Sequence, residues 1–459
     1  MNKKFTIKIA VIGFLMFVLL IPLNMIEGVV SERSNFRDQA SRSIAQSWTG
    51  KQKIIGPVLV VPYLQYYKKR EWDKNLKAYQ ETKYSLTKKI YILPEKLAIN
   101  GEIVTENRKR GLYNVPVYST DLNIDGQFDN KEVIKVSRKY GRNIKWKKSF
   151  LSIIVSDIRG ISEQPVLNWN NKKYEFSSGS AFDQRGNGMH AKLSKITSEK
   201  EKNYPFSFKV NIKGMESIQF SAVGKSTTVD IKANWPHPSF IGRYLPSSRN
   251  ITNENFNANW KLSSFSSDMP RLIKNCQANN CSGFLSNTFG VELINSVDIY
   301  HKTERSVKYA ILFISLAFIT FFLFEIMKNL RLHPMQYMLV GLSLSFFYLL
   351  LISLSEHMTF GMAYSIATSA SVITLGVYIS AVLKSMIHGL GFTGMITLLY
   401  TMLYAILVSE DNALLMGSLL FFSILSLVMF ITRKLDWYEV TDKLANQALL
   451  TQEDNKPQN

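Results

Sequence analysis

Residues 309–327 read YAILFISLAFITFFLFEIM, an apolar stretch that only Ser315, Thr320 and Glu325 interrupt. A helix needs roughly 17–20 apolar residues to cross a hydrocarbon core about 30 Å thick. The stretch has this length, and it lacks the recurring polar face of a helix on the surface of a soluble bundle. It therefore predicts a helix that crosses a membrane.

Four further apolar runs follow, separated by short polar turns. They cover residues 335–354, 360–383, 392–408 and 413–431. Because hydrocarbon offers no hydrogen-bonding partner, each backbone polar group must be bonded inside its own segment. We therefore predict five crossing helices within residues 306–434.

Charged residues divide the turns of this bundle between two sides. Basic side chains mark alternate turns, namely Lys328, Arg331 and His333, then Lys384 and His388, then Arg433 and Lys434. The intervening turns carry Glu356, His357, Glu410 and Asp411. Since basic turns mark the cytoplasmic side, the bundle is predicted to start outside the cell and to end inside it.

A further apolar run lies near the start of the chain, at residues 9–26, after Lys3, Lys4 and Lys8. Such a run is either a cleaved signal peptide or an uncleaved anchor. It is longer than a usual signal core, and no small-x-small cleavage site follows it, so we favour an anchor within residues 1–30. The prediction is a six-helix transmembrane bundle, with one N-terminal and five C-terminal helices. Both termini, including the tail at residues 435–459, are then cytoplasmic.

Residues 31–305 lie between the first and second crossings and would face the periplasm. These 275 residues hold 44 Lys and Arg residues against 25 Asp and Glu residues, so they carry 19 of the chain's 20 net positive charges. A basic exported domain favours an anionic partner, either lipid headgroups or an envelope polymer such as peptidoglycan. Nucleic acid is not expected on that side. A basic surface that only keeps the domain soluble is the alternative.

Short alternating runs bounded by turn residues fill this exported segment. Residues 206–212 (FSFKVNI) and 226–232 (STTVDIK) alternate with period two, and Asp125-Gly126 is a turn signal. The pattern predicts a large antiparallel β-sandwich between the first and second crossings. It leaves open whether the strands form one sandwich or two units divided near residues 160–170.

The chain's two cysteines, Cys276 and Cys281, both lie in the exported segment. An even number of cysteines in an oxidising compartment favours a disulfide. Free thiols are the first alternative. A metal site is the second, although no histidine lies close by in the sequence. We predict a disulfide, with no metal site, cofactor or catalytic residue.

Several motifs stand out along the chain. They are SDIRG at residues 156–160, GNGMHA at 186–191, WPHPSF at 235–240, LHP at 332–334 and LDWY at 435–438. In these motifs the chain resembles the CreD family of bacterial inner-membrane proteins, often labelled cell envelope integrity proteins. The resemblance implies a role in envelope stress, the β-lactam response and colicin tolerance, and it implies no established enzymatic activity. Residues 66–89 are richer in lysine than the family pattern leads us to expect.

Glu356 and His357, together with Glu410 and Asp411, form an outer-boundary cluster on two neighbouring hairpins of the predicted bundle. Charges that converge at a membrane edge can bind a cation, relay a proton or catalyse a reaction. They could equally dock the basic exported domain. The plainest interpretation is that short turns are polar and that acidic residues favour the first turn of a helix.

Three candidate residues lie at the predicted cytoplasmic face, namely Glu325, Arg331 and His333. Glu325 can pair with Lys328 or Arg331 at helical spacing. His333 precedes Pro334, which fits the first position of a helix, so a capping or interfacial histidine is expected. A charge at the middle of a crossing is missing from the sequence, which argues against an ion-coupled pump.

Three functions remain open from the sequence. The first, which we predict, is a non-enzymatic envelope protein whose basic domain senses or binds an envelope component. The second is a transporter or flippase of an amphiphile, with a groove lined by residues such as Ser345, Tyr348 and Ser355. The third is an enzyme that uses the outer-boundary cluster on lipid or glycan.

Overall fold

The computed structural model describes residues 3–73, 78–182, 186–277, 280–294, 299–327, 332–409 and 413–433. The chain divides into two compact units. The helical unit comprises Met1–Asp38 and Val297–Asn459, and the sheet unit comprises Gln39–Ser296.

Ten α-helices occur within the described residues. They are α1 (Lys3–Ser47), α2 (Lys131–Tyr140), α3 (Ser264–Ser267), α4 (Met269–Gln277), α5 (Ser282–Ser286), α6 (Ile299–Met327), α7 (Pro334–Ser355), α8 (Phe360–Val382), α9 (Met386–Val408) and α10 (Ala413–Thr432). The last five belong to the helical unit together with most of α1, whereas α2, α3, α4 and α5 belong to the sheet unit.

Five spans in these helices are long and apolar enough to cross a membrane. They are Thr6–Ser47, Ile299–Ile326, Pro334–Ser355, Phe360–Val382 and Met386–Val408. They agree with the apolar runs in the sequence and support a membrane protein. Helix α10 has 20 residues of largely apolar sequence but does not belong to this group, so the count of six crossings stays a prediction.

The start of α7 follows from three neighbouring residues. Pro334 occupies the first turn, and His333 is the N-cap, whose Nδ1 accepts a hydrogen bond from the Met335 N–H at 3.2 Å. The Gln336 side chain accepts one from the His333 N–H at 2.9 Å. The two bonds form a capping box, which satisfies backbone donors that the helix itself leaves unpaired.

Small residues let the helices of this unit approach closely. Gly341 of α7 packs against Leu19 of α1 and Phe318 of α6, and a Cβ atom there would collide with Leu19. Gly389 of α9 lies against Ser380 of α8 in the same way. Close approach of this kind stabilises membrane helices through van der Waals contact.

Sixteen strands within the described residues form one connected sheet. They are β1 (Gln52–Asp73), β2 (Ala78–Ile92), β3 (Lys96–Arg110), β4 (Tyr113–Asp129), β5 (Ile144–Trp146), β6 (Phe150–Val155), β7 (Val166–Trp169), β8 (Lys172–Ser178), β9 (Met189–Lys192), β10 (Asn203–Met215), β11 (Ser217–Phe220), β12 (Ser226–Ala233), β13 (Pro238–Gly242), β14 (Ser248–Ile251), β15 (Phe256–Ser263) and β16 (Phe289–Leu293). Their order is β13-β16-β11-β1-β6-β9-β8-β7-β10-β4-β3-β12-β15-β14, and β2 and β5 also pair with β1.

Most neighbouring strands are antiparallel, but two pairs are parallel, so the predicted antiparallel sandwich is correct only in part. Strand β1 pairs in parallel with β11, from Gln52↔Ile218 to Ile54↔Phe220, and β3 pairs in parallel with β12. A parallel pair requires a long connection, and long stretches of chain separate the partners in both cases. Strands that precede residues 160–170 pair directly with strands that follow them.

A large hydrophobic cluster fills the interior of the sheet unit. It includes Leu59 of β1, Ile99 of β3, Phe208 of β10, Val229 of β12 and Trp260 of β15, each at most 4% exposed. Along β10 buried residues alternate with residues that are at least partly exposed. The period of two in the sequence therefore marks the two faces of each strand.

Candidate functional site

Glu325, near the end of α6, forms the centre of one polar cluster in the helical unit. Its side chain is only 3% exposed and makes an ion pair with Lys8 of α1. The Leu332 N–H donates a hydrogen bond to one carboxylate oxygen at 2.9 Å. The Tyr337 hydroxyl of α7 donates to the other oxygen at 2.9 Å. One carboxylate therefore connects α1, α6 and α7.

The ion pair between Lys8 and Glu325 was not predicted from the sequence. Helical spacing favoured Lys328 or Arg331 as the partner of Glu325, and both of these lie outside the described residues. The sequence did mark Glu325 as unusual, since it interrupts an apolar run, and a charge in a membrane segment is almost always paired. It did not single out Lys8, which is one of three lysines that precede the first apolar run.

A second polar cluster surrounds Glu356, the residue directly after α7. The Arg33 guanidinium of α1 lies 3.6 Å from the Glu356 carboxylate, and the Tyr300 hydroxyl of α6 donates to that carboxylate at 3.3 Å. The Arg37 guanidinium lies 5.7 Å from the centre of the Tyr300 ring. This cluster connects the same three helices as the first one.

The two clusters lie one membrane thickness apart. Lys8 and Arg33 are separated by 25 residues of α1, and Tyr300 and Glu325 are separated by 25 residues of α6. At about 1.5 Å per helical residue, each separation spans about 37 Å. The hydrocarbon core of a bilayer is about 30 Å thick, so both clusters fit the zones where hydrocarbon meets headgroups.

The outer-boundary cluster is only partly covered by the described residues. Glu356 is nearly buried beside Arg33, whereas His357 is exposed. Glu410 and Asp411 lie outside the described residues. The grouping of these four side chains into one site therefore stays a prediction.

The side chains that were predicted to line a transport groove are buried within the helical unit. Ser345, Tyr348 and Ser355 are at most 3% exposed. The Ser345 hydroxyl donates to the Gly341 carbonyl at 3.0 Å and the Ser355 hydroxyl donates to the Leu351 carbonyl at 2.7 Å, so both bond to their own helix. A cavity beside Tyr348 measures only about 10 Å³, which is too small for an amphiphile.

The SDIRG motif binds the end of α1 within the sheet unit. The Arg159 guanidinium donates to the Gln46 carbonyl at 2.6 Å and to the Ala45 carbonyl at 3.1 Å, which are among the unpaired carbonyls of the last helical turn. Asp157 holds this guanidinium through two hydrogen bonds of 2.9 and 2.6 Å and also accepts from the Gly50 N–H. Hydrogen bonds from Arg159 are the main cause that lowers the pKa of Asp157.

Two neighbouring segments of the sheet unit form what we call the basic surface. The first is residues 66–73 with 78–89, and the second is residues 131–148. The first holds six Lys and Arg residues against three acidic ones, and the second holds eight against one. Strand β5 of the second segment pairs with β1 at the base of the β1–β2 hairpin, where the Tyr63 and Trp146 rings lie 5.4 Å apart. Lys147 donates to the Thr87 hydroxyl at 3.4 Å. The two segments are therefore adjacent.

The acidic side chains of the hairpin are engaged by their neighbours. Glu71 accepts a hydrogen bond from the Tyr84 hydroxyl at 2.7 Å and pairs with Lys69 at 3.0 Å, and these contacts lower the pKa of Glu71. Glu81 pairs with Lys68 at 2.8 Å, which lowers the pKa of Glu81 as well. These two carboxylates thus remain ionised and offset only part of the positive charge around them.

A polar groove of about 620 Å³ crosses the outer face of β4 and β10. Within it Asp121 accepts from the Asn211 amide at 2.8 Å and pairs with Lys209 at 3.0 Å, and the pKa of Asp121 is lowered by these contacts. Burial raises the pKa of the neighbouring Asp125. Among the residues that the structure describes, no three His, Cys, Asp or Glu side chains are grouped as a metal site requires.

Cys276, at the end of α4, and Cys281, just before α5, lie at disulfide distance and are bonded to each other. The predicted disulfide is therefore supported by the structure. The bridge closes a short loop between α4 and α5 at the edge of the hydrophobic core, where Cys276 is 6% exposed.

Comparison with known proteins decides the family. The family model described as "Inner membrane protein CreD" matches residues 4–438. The chain belongs to the CreD family. It is 36% identical over 421 residues to the inner membrane protein CreD of Escherichia coli strain K12, a match that covers 92% of this chain and 91% of the relative. The family's description as an inner membrane protein agrees with the five helices that are long and apolar enough to cross a membrane.

Among solved structures, the chain is similar in part to an M1 zinc metallopeptidase from Deinococcus radiodurans. The match has a TM-score of 0.17 at 8% identity and covers 37% of this chain and 39% of the peptidase. A likeness of this size does not establish a common fold.

Proposed function

We propose that this protein is a non-catalytic inner-membrane protein that maintains envelope integrity under β-lactam-type stress. In this proposal the sheet unit faces the periplasm, and its basic surface binds an anionic component of the envelope. Anionic phospholipid headgroups and peptidoglycan share the required chemistry. Membership of the CreD family supports the inner-membrane location, and the alternation of basic and acidic turns supports the orientation.

The observation that carries the proposal is the concentration of positive charge on the basic surface. Its two segments, as far as the structure describes them, hold 14 Lys and Arg residues against four acidic residues. Near an anionic membrane each basic residue contributes about 1 kcal/mol of attraction. Salt screens this attraction beyond about 10 Å at ordinary ionic strength, so binding should weaken as the salt concentration rises.

The test uses the full chain reconstituted in phosphatidylcholine nanodiscs. Its binding is measured, at low and high salt, to vesicles of phosphatidylcholine with and without phosphatidylglycerol and, separately, to purified peptidoglycan. Lys145→Gln with Lys148→Gln removes two exposed charges from the basic surface. We expect this change to weaken binding roughly 20- to 30-fold if both charges face the ligand.

The matched control removes two exposed charges elsewhere in the sheet unit, through Lys232→Gln with Lys261→Gln on β12 and β15. Its effect on binding should be small. Equal losses for the two double variants would show that net charge rather than the basic surface is responsible. Absence of salt-sensitive binding to either ligand would overturn the proposed function.

A further inference from the structure

The tip of the β1–β2 hairpin carries two large aromatic side chains that face water. Trp72 and Tyr79 lie directly opposite each other in the strand register, with ring centres 5.1 Å apart and the rings edge to face. They are 53% and 70% exposed. Side chains of this size usually bury most of their apolar surface, so their exposure at one tip requires a physical reason.

A second aromatic pair lies farther down the arm of the hairpin, on the face opposite to Trp72 and Tyr79. Tyr67 stacks on Tyr84 with ring centres 5.8 Å apart, and Leu86 is 50% exposed. Beyond Gln65, strand β1 pairs with β2 and with no other described strand. A two-stranded hairpin is marginally stable in water on its own, because neither face is covered. From Tyr66 to Asp73 the arm reaches about 25 Å at about 3.3 Å per residue.

Basic side chains lie on both strands next to these rings. Lys68, Lys69 and Arg70 on β1 and Lys83 on β2 are exposed. Positive charge beside Trp and Tyr rings is the composition that favours a membrane surface, since the rings settle at headgroup depth while Lys and Arg attract anionic lipids.

We propose that the strand pairs of this hairpin at Trp72 and Tyr79 insert into the headgroup zone of an anionic phospholipid bilayer. Trp72 and Tyr79 enter the interface, and the basic side chains on the same face, Lys68, Arg70 and Lys83, contact the phosphates. This inference rests on the proposed function and names lipid as the ligand of the basic surface. Trp and Tyr are enriched where hydrocarbon meets water, and this favours lipid over glycan as the ligand.

The experiment places a fluorescent label at Ala78→Cys, a small residue at the tip. The two native cysteines are bonded to each other, so the introduced thiol is the site of labelling. The full chain is reconstituted in nanodiscs, and a spin-labelled lipid is present either in the nanodisc or in added vesicles. Each arm is run with phosphatidylcholine alone and with added phosphatidylglycerol. Asn257→Cys, exposed on β15, provides the matched control site.

We expect the label at residue 78 to be quenched several-fold more strongly than the label at residue 257. This difference should occur in at least one of the two experiments, with the spin-labelled lipid in the nanodisc or in the vesicles, and only when phosphatidylglycerol is present. Trp72→Ser with Tyr79→Ser should reduce the quenching to that of the control site, whereas Trp72→Phe with Tyr79→Phe should retain most of it. Lys68→Gln should weaken binding to anionic vesicles about fivefold.

The outcomes separate this inference from the proposed function. Salt-sensitive vesicle binding without quenching at residue 78 would overturn the insertion and leave the proposed function standing. Binding to peptidoglycan with no quenching at residue 78 from either the nanodisc or the vesicles would do the same. Serine variants that quench as strongly as the parent would also overturn it. Absence of binding to both ligands, together with absence of quenching from either the nanodisc or the vesicles, would overturn both proposals.

Discussion

The helical unit and the sheet unit use charged side chains in opposite ways. In the helical unit the Glu325 and Glu356 side chains are 3% and 8% exposed, and each meets a cation of α1 and a tyrosine hydroxyl. In the sheet unit Lys145 and Lys148 are exposed and belong to a surface with a large excess of positive charge. This difference shows that the medium around a charge decides its role. A buried charge in the helical unit connects helices, whereas a charge exposed to water on the sheet unit can attract a ligand.

The physical basis is the cost of removing a charge from water. A charge in a membrane segment is stable only with a partner, so it specifies which helices pack together. An exposed ion pair contributes little because water competes for both groups. The comparison therefore predicts large effects for charge removal in the helical unit and smaller ones in the sheet unit.

The largest effect is expected for Glu325→Gln, which leaves Lys8 without its carboxylate. Removing one partner of a fully buried pair costs about 3–5 kcal/mol. Because the Lys8 side chain is 27% exposed and can turn toward water, we expect a loss of about 2–3 kcal/mol in the free energy of unfolding. Thermal unfolding of the protein in nanodiscs measures it. Adding Lys8→Met should restore part of the loss, and an unchanged unfolding temperature for Glu325→Gln would contradict the prediction.

Some helix ends could be predicted from nearby residues, but α1 continues to Ser47 and α6 begins at Ile299, beyond the apolar runs at residues 9–26 and 309–327. Apolar length fixes the extent of a crossing, and Pro334 with His333 fixes the start of α7 through bonds that reach only three residues. The alternation of FSFKVNI likewise marks the two faces of β10. Local signals can also mislead, since Asp125-Gly126, a turn signal in the sequence, lies within β4 and pairs with both β3 and β10.

The contacts between distant residues could not be predicted in the same way. Lys8 and Glu325 are 317 residues apart, and Arg159 bonds to carbonyls 113 and 114 residues away. The parallel pairing of β3 with β12 depends on which strands meet after the core forms. Pattern and spacing identify such residues as unusual, but only packing in three dimensions selects their partners.

A smaller effect, with a defined pH dependence, is expected for Asp157→Asn in the sheet unit. Because Arg159 lowers the pKa of Asp157 in the folded state, the carboxylate contributes stability above its ordinary pKa of about 3.9. That contribution is lost as the pH falls through the lower pKa that Asp157 has in the folded protein. We expect a loss of about 1 kcal/mol or less at neutral pH, because solvent screens the pair. Unfolding temperatures measured against pH should converge for variant and parent in acid.

Asp125→Asn provides the control with the opposite sign. Burial raises the pKa of Asp125, so its contribution to stability is present below the ordinary pKa and is lost as the pH rises. The Asn variant should therefore be slightly more stable than the parent at neutral pH. If both variants shifted stability in the same direction at neutral pH, the assignment of these pKa changes would be wrong.

The smallest effect is expected for Arg33→Gln, within the helical unit itself. The Arg33 side chain is 44% exposed and its nearest nitrogen lies 3.6 Å from the Glu356 carboxylate, so water screens this pair far more than the pair of Lys8 and Glu325. The Tyr300 hydroxyl continues to donate to Glu356 in the variant. We expect a loss of about 0.5 kcal/mol in nanodisc unfolding. A loss in the free energy of unfolding as large as that for Glu325→Gln would contradict this prediction. It would show that Arg33 is shielded from water, so that the exposed fraction of the cation would not explain the difference between the two clusters.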